Sequence, residues 1–140
     1  MIVVEFKRDM NFFLKSSGKF SEHRKVEING KTEVKEKIEK FIFCKLCMNK
    51  ITLNSEKIFV DGNFSFEFVN PADIKYMIGC FSNAQGCFIQ GIPTYEDTWF
   101  PCYAWRFVKC KQCGEHLGWY FQRKDDGFFG LILTKLEGDL

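Results

Sequence analysis

Proline and histidine are scarce in this chain of 140 residues, with three of the first and two of the second. The histidines, His23 and His116, lie in no recognisable nucleophile motif, which argues against a histidine-based catalytic centre. Net charge is also nearly absent, at +2 from 20 basic and 18 acidic residues. That balance gives no charge-based reason to expect a nucleic-acid binder. No apolar run reaches the roughly 18 residues of a membrane-spanning helix. The first ten residues lack the basic start and apolar run of a signal peptide, being interrupted by Glu5 and Lys7-Arg8-Asp9. A cytoplasmic protein in a reducing compartment is expected. Disulfides are disfavoured there, so the seven cysteines need another use.

Aromatic residues, by contrast, are abundant: 17% of the chain, including 17 Phe. So many rings must be buried or must line something. One domain is the default at this length. Residues 1–40 form an N-terminal extension, rich in Lys and Glu and free of cysteine. Within it Lys25-Val26-Glu27-Ile28 and Lys31-Thr32-Glu33-Val34 flank Asn29-Gly30, the strongest short-range hairpin signal. That hairpin is expected to pack on the domain of residues 41–140. Lys31, Lys35, Lys37 and Lys40, interleaved with Glu33, Glu36 and Glu39, read as a solvated face.

From Phe43 onward the chain reads as short strands between turns. Ile58-Phe59-Val60 leads into Asp61-Gly62. Phe64-Ser65-Phe66-Glu67-Phe68 alternates with period two, which puts its rings on one face, and Asn70-Pro71 ends it. Residues 86–92 and 104–108 are further strands. Trp119-Tyr120-Phe121-Gln122 and residues 128–133 suggest a closing hairpin around Lys124-Asp125-Asp126-Gly127. No long amphipathic helix is evident, so the class is mainly β.

Cys44-Lys45-Leu46-Cys47 and Cys110-Lys111-Gln112-Cys113 are two CxxC pairs. Two intervening residues let both thiolates of a tight knuckle point at one ion, and two knuckles complete a tetrahedral sulfur shell of the kind structural zinc prefers. Soft ligands favour zinc or iron over magnesium or calcium. A redox CxxC would open a helix after a strand, and no helical pattern follows Cys113. The pairs are 62 residues apart (48–109), so the metal would tie distant strands together. Four sulfurs leave no open position, which means folding rather than catalysis. Cys80, Cys87 and Cys102 read as buried apolar packing.

All three tryptophans, Trp99, Trp105 and Trp119, fall within twenty-one residues. The second knuckle lies between the last two of them. Rings gathered in this way either fill a core or wall a cage for a flat or cationic ligand.

The run Thr98-Trp99-Phe100-Pro101-Cys102-Tyr103-Ala104-Trp105, then Cys110-x-x-Cys113, then His116-Leu117-Gly118-Trp119-Tyr120-Phe121, resembles the signature of the CULT domain family. The first knuckle, Phe68-Val69-Asn70-Pro71 and the closing Phe128-Phe129-Gly130-Leu131 match in order. The resemblance covers about residues 41–134. It implies two antiparallel sheets pinned at a zinc site (a β-tent) and a non-enzymatic module. The implied ligands are cyclic imides of the glutarimide or thalidomide type, uridine-like compounds, or a protein with a cyclised terminus. By this resemblance Trp99, Trp105 and Trp119 are the walls and Phe121 closes the base. Asn70 faces the pocket, and the backbone of Asp97 and Trp99 bonds the imide. His116 matches the family and reads as structural or as a support beside the metal. Two positions depart from the pattern. Cys102 stands where the family has glycine, and strains the turn if that position needs positive φ. Asp97 stands where the pattern has histidine, and its carboxylate favours N–H-rich over anionic ligands. Family members that join a ubiquitin ligase do so through a Lon-like domain, for which 140 residues leave no room. A stand-alone member outside such assemblies is expected.

Two other readings exist. An enzyme on a related fold, like a B-type methionine sulfoxide reductase, needs a cysteine after the second knuckle, and none follows Cys113. A zinc-ribbon module that binds protein or nucleic acid would use Lys45, Lys50, Lys109 and Lys111 around the knuckles, with steep salt dependence.

Overall fold

The structure, a computed structural model, describes residues 23–28, 31–36 and 39–140. Its eleven strands are β1 (His23–Ile28), β2 (Lys31–Glu36), β3 (Phe41–Cys44), β4 (Lys50–Leu53), β5 (Ser65–Val69), β6 (Lys75–Phe81), β7 (Cys87–Thr94), β8 (Ala104–Cys110), β9 (His116–Arg123), β10 (Asp126–Ile132) and β11 (Leu136–Gly138). Strand β1 pairs antiparallel with β2, from His23 opposite Glu36 to Ile28 opposite Lys31. The Asn29-Gly30 turn itself, and residues 1–22, lie outside the described residues.

The domain is built from two antiparallel sheets. One has six strands in the order β5-β6-β10-β9-β8-β7, and the other has three in the order β11-β3-β4. Short aromatic and β-branched runs between turns account for the strands. Val60 pairs with Asn63 across Asp61 (φ 54) and Gly62 (φ 83), the two positive angles of a type I′ turn. The closing hairpin turns more tightly than its sequence suggests. Asp126 already pairs with Arg123, which leaves Lys124-Asp125 as the turn, with Lys124 at φ 51. Strands β4, β6 and β11 have no clean alternation in sequence and emerge only through pairing.

Opposite partners share a sheet face, so the register sorts the core. Ile78, Cys80, Trp119, Phe121, Phe128 and Ile132 fall on one face and join Phe100 and Tyr103 in one buried cluster. Phe81, Phe129 and Leu131 fall on the other and pack with Ile42, Ile51 and Leu136 of the smaller sheet. The six-stranded sheet therefore carries a core on both faces. One is shared with the small sheet, and the other lies under the Trp99–Phe100 loop. Phe66 and Phe68 stack at 5.6 Å on that second side. Phe64, outside the strand, instead meets Phe81 edge-on at 5.4 Å.

The sheets approach each other closely at Gly86. Its N–H donates to Ile51 O at 2.9 Å, and its own carbonyl accepts the Lys111 N–H at 2.9 Å. A Cβ there would stand 1.9 Å from Lys50 O, so only glycine admits this approach.

Candidate functional site

The four-cysteine centre forms where the ends of β3 and β8 meet. Each CxxC closes the same way. The N–H four residues after the first cysteine donates to that cysteine's carbonyl, Met48 to Cys44 at 2.7 Å and Gly114 to Cys110 at 2.9 Å. Each first cysteine's N–H then donates five residues ahead, to Asn49 O at 2.8 Å and Glu115 O at 2.9 Å. Both loops need a left-handed residue, and Gly114 (φ 79) and Met48 (φ 62) supply it. The four Sγ atoms lie within 4.8 Å of one another. Cys44 and Cys113 are 3.7 Å apart, and Cys47 and Cys110 are 3.6 Å apart. A tetrahedron with metal–sulfur bonds of about 2.3 Å has edges of about 3.8 Å, so the donor set fits a metal ion. Asn49, which carries no motif of its own, donates from Nδ2 to Cys110 Sγ at 3.6 Å and to Gly86 O at 3.3 Å. It braces a thiolate against the inter-sheet crossing.

The other cysteines divide. Cys80 and Cys87 are buried, as expected. Burial raises both thiols, that of Cys87 to about 12, which keeps them protonated and unreactive. Cys102 corrects the expectation, because it is exposed. The Tyr103 N–H donates to Phe100 O at 2.9 Å, closing a four-residue turn with Pro101 second and Cys102 third. At φ 76 Cys102 holds the type II corner that glycine prefers, and a corner points outward.

The opposite face of the six-stranded sheet holds a cavity of about 480 Å³. Trp99, Trp105, Trp119, Phe121, Asn70 and Asp97 all line it. Strands β8 and β9 put Trp105 opposite Phe121 and Phe107 opposite Trp119. Trp99 comes from the loop before β8 and meets Trp119 edge-to-face at 4.8 Å. Its back lies on Phe68, stacked at 4.8 Å. Two indole N–H groups pin the walls from outside, Trp99 to Val69 O at 3.3 Å and Trp105 to Glu96 O at 2.8 Å. The Thr98 hydroxyl donates to Tyr103 O at 2.7 Å and accepts the Phe100 N–H at 3.4 Å, so the Trp99 loop is tied at its base. Phe121 is buried, with Phe100 at 4.8 Å and Phe128 at 5.4 Å behind it.

Among the described residues, the backbone groups of Asp97 and Trp99 take no hydrogen bond. Asn70 Oδ1 accepts the Ile74 N–H at 2.9 Å, and its Nδ2 takes no partner there. The cavity thus pairs apolar indole walls with polar groups that lack protein partners.

Sequence reasoning missed Tyr76, Phe107 and His116 as lining residues. Tyr76 stands edge-on to Trp119 at 5.2 Å. The period-two pattern of β8 places Phe107 beside Trp105, and that signal was available. Of the two roles expected for His116, structural or a support beside the metal, its contacts fit the structural one. Its Nε2 bonds Gly118 O at 2.9 Å, and its ring stands edge-on to Trp119 at 4.9 Å and to Phe107 at 5.3 Å. Desolvation lowers its pKa from 6.5, so the neutral ring with its proton on Nε2 is favoured at neutral pH.

No family model matches this chain. Curated relatives do. The chain is 35% identical over 75 residues to the protein cereblon of Xenopus tropicalis, covering 50% of this chain and 17% of that protein. It is 32% identical over 101 residues to cereblon of Gallus gallus, with 66% and 22% covered. With cereblon of Drosophila melanogaster it shares 29% identity over 105 residues, with 68% and 18% covered. The chain spans about a fifth of the length of these relatives. The fold and site define a mainly-β domain whose two sheets meet at a four-cysteine cluster and whose larger sheet carries an aromatic pocket. It is a cereblon-like domain of the CULT type.

Proposed function

We propose that the domain is a non-enzymatic receptor for a small cyclic imide, held in the tryptophan cage, with zinc in the four-cysteine site as a folding element. The observation that carries this reading is the set of unpartnered backbone groups of Asp97 and Trp99 beside the indoles. A flat imide buries its ring edges against Trp99, Trp105 and Trp119. Its N–H and carbonyls then need partners, since each buried and unpaired polar atom costs about 1–3 kcal/mol. The Asp97 carbonyl accepts the imide N–H, the Trp99 N–H donates to a carbonyl, and Asn70 Nδ2 is a further donor. Glutarimides, uridine-like rings and cyclised peptide termini share this edge. Four sulfurs complete the metal's coordination, so the ion offers no position for a substrate. Thiolate ligands persist in a reducing compartment, which suits a cytoplasmic protein.

The test is calorimetric titration of zinc-loaded protein with unsubstituted glutarimide. Saturable binding is expected, weakened at least tenfold in Trp99→Ala and Trp105→Ala, with metal content unchanged in both. Absence of binding by folded, metal-loaded protein would rule the reading out.

A further inference from the structure

Among the described residues, the charge carried by those that line the cage is one-sided. Eleven of the described residues line the cavity. Two of these are acidic, Glu96 and Asp97, and none is lysine or arginine. They sit together on the loop between β7 and β8, where the Thr98 N–H donates to Tyr95 O at 3.2 Å and Asp97 takes φ 54. Neither carboxylate has a salt-bridge partner among the described residues. The Trp105 indole bonds the Glu96 carbonyl, which fixes this acidic loop directly against a wall of the cage. The lysines that act on His116, Lys109 and Lys135, do not line the cavity.

Resting on the cyclic-imide reading, we infer that this cage selects ligands that carry a positive charge next to the ring, an ammonium or quaternary ammonium group held between the acidic loop and the indole faces. Tryptophan faces attract cations through their quadrupole, and two uncompensated carboxylates add Coulomb attraction that grows as a ligand displaces water. An anionic substituent is repelled by both carboxylates. Permanent charge is the feature read, so a quaternary group serves as well as a protonated amine.

The experiment compares two amides of 3-aminoglutarimide that differ only in charge. One carries the betaine acyl group, with a trimethylammonium. The other carries its neutral isostere, with a tert-butyl group in the same place. The charged amide is expected to bind about five- to tenfold more tightly at low salt. The ratio should shrink with added salt and fall towards one in Glu96→Gln/Asp97→Asn. Equal affinity for the two amides, or a preference that survives the double substitution, overturns the inference and leaves imide binding intact. If neither amide binds but tetramethylammonium does, cation selection stands and the imide reading fails. If none of the three binds, both fail.

Discussion

At the residue scale, Cys102 shows how one side chain can sit at odds with its backbone. Its φ of 76 is a conformation that costs an L-residue about 1–2 kcal/mol and costs glycine little. Cys102→Gly is therefore expected to stabilise the protein by about 1 kcal/mol, less whatever the freer unfolded chain regains. Thermal unfolding would show this as a Tm raised by a few degrees. His116 makes a prediction in pH. Its folded-state pKa is lowered from 6.5 by burial, so the unfolded chain takes the proton first as pH falls. The neutral ring's stability is complete above about 6.5 and declines as pH drops towards the folded value. Urea unfolding between pH 7.5 and 5 should show the wild type losing more stability than His116→Gln. Parallel curves would mean that the ring's burial has no titration consequence.

At the scale of elements, the aromatic pocket depends on how the Trp99 loop is tied. Thr98 bonds both Phe100 and Tyr103, and the loop packs through Phe100 onto Phe121 and Phe128. Thr98→Val keeps the shape and removes the bonds. It is expected to cost about 1 kcal/mol of stability and to weaken glutarimide binding several-fold, with metal content unchanged. The joint between the sheets is sharper. A Cβ at Gly86 would meet Lys50 O at 1.9 Å and Ile51 Cα at 2.7 Å, both backbone atoms that cannot swing aside. Gly86→Ala should therefore lower stability by several kcal/mol, read as an early denaturant midpoint.

For the whole molecule, the cysteine cluster joins two sheets that otherwise share one core. Metal affinity then counts as folding energy, because the unfolded chain has no formed site. Chelation is expected to lower the Tm by well over ten degrees and to abolish glutarimide binding, although no cysteine lines the cavity. Retention of binding after complete metal removal would show that the cage stands without the joint.

The sequence by itself determined the local chemistry. Two CxxC pairs determine a four-sulfur cluster that fits a metal ion, because spacing inside a knuckle is a property of a few adjacent residues. The Asp61-Gly62 turn and the ring stripe of Phe66 and Phe68 followed from φ preference and period two. The motif around Trp99, Trp105 and Trp119 pointed to a shared cage by resemblance, where composition alone left core and cage open. Only the tertiary structure decided the rest. Strands β4, β6 and β11 have no alternation of their own, since both of their faces or their short lengths depend on what covers them. Tyr76 and Asn49 took their roles from neighbours distant in sequence. The acidic loop became part of the pocket only when β8 brought Trp105 beneath Glu96. Contacts of that kind depend on register and sheet crossing, which no short window of residues encodes.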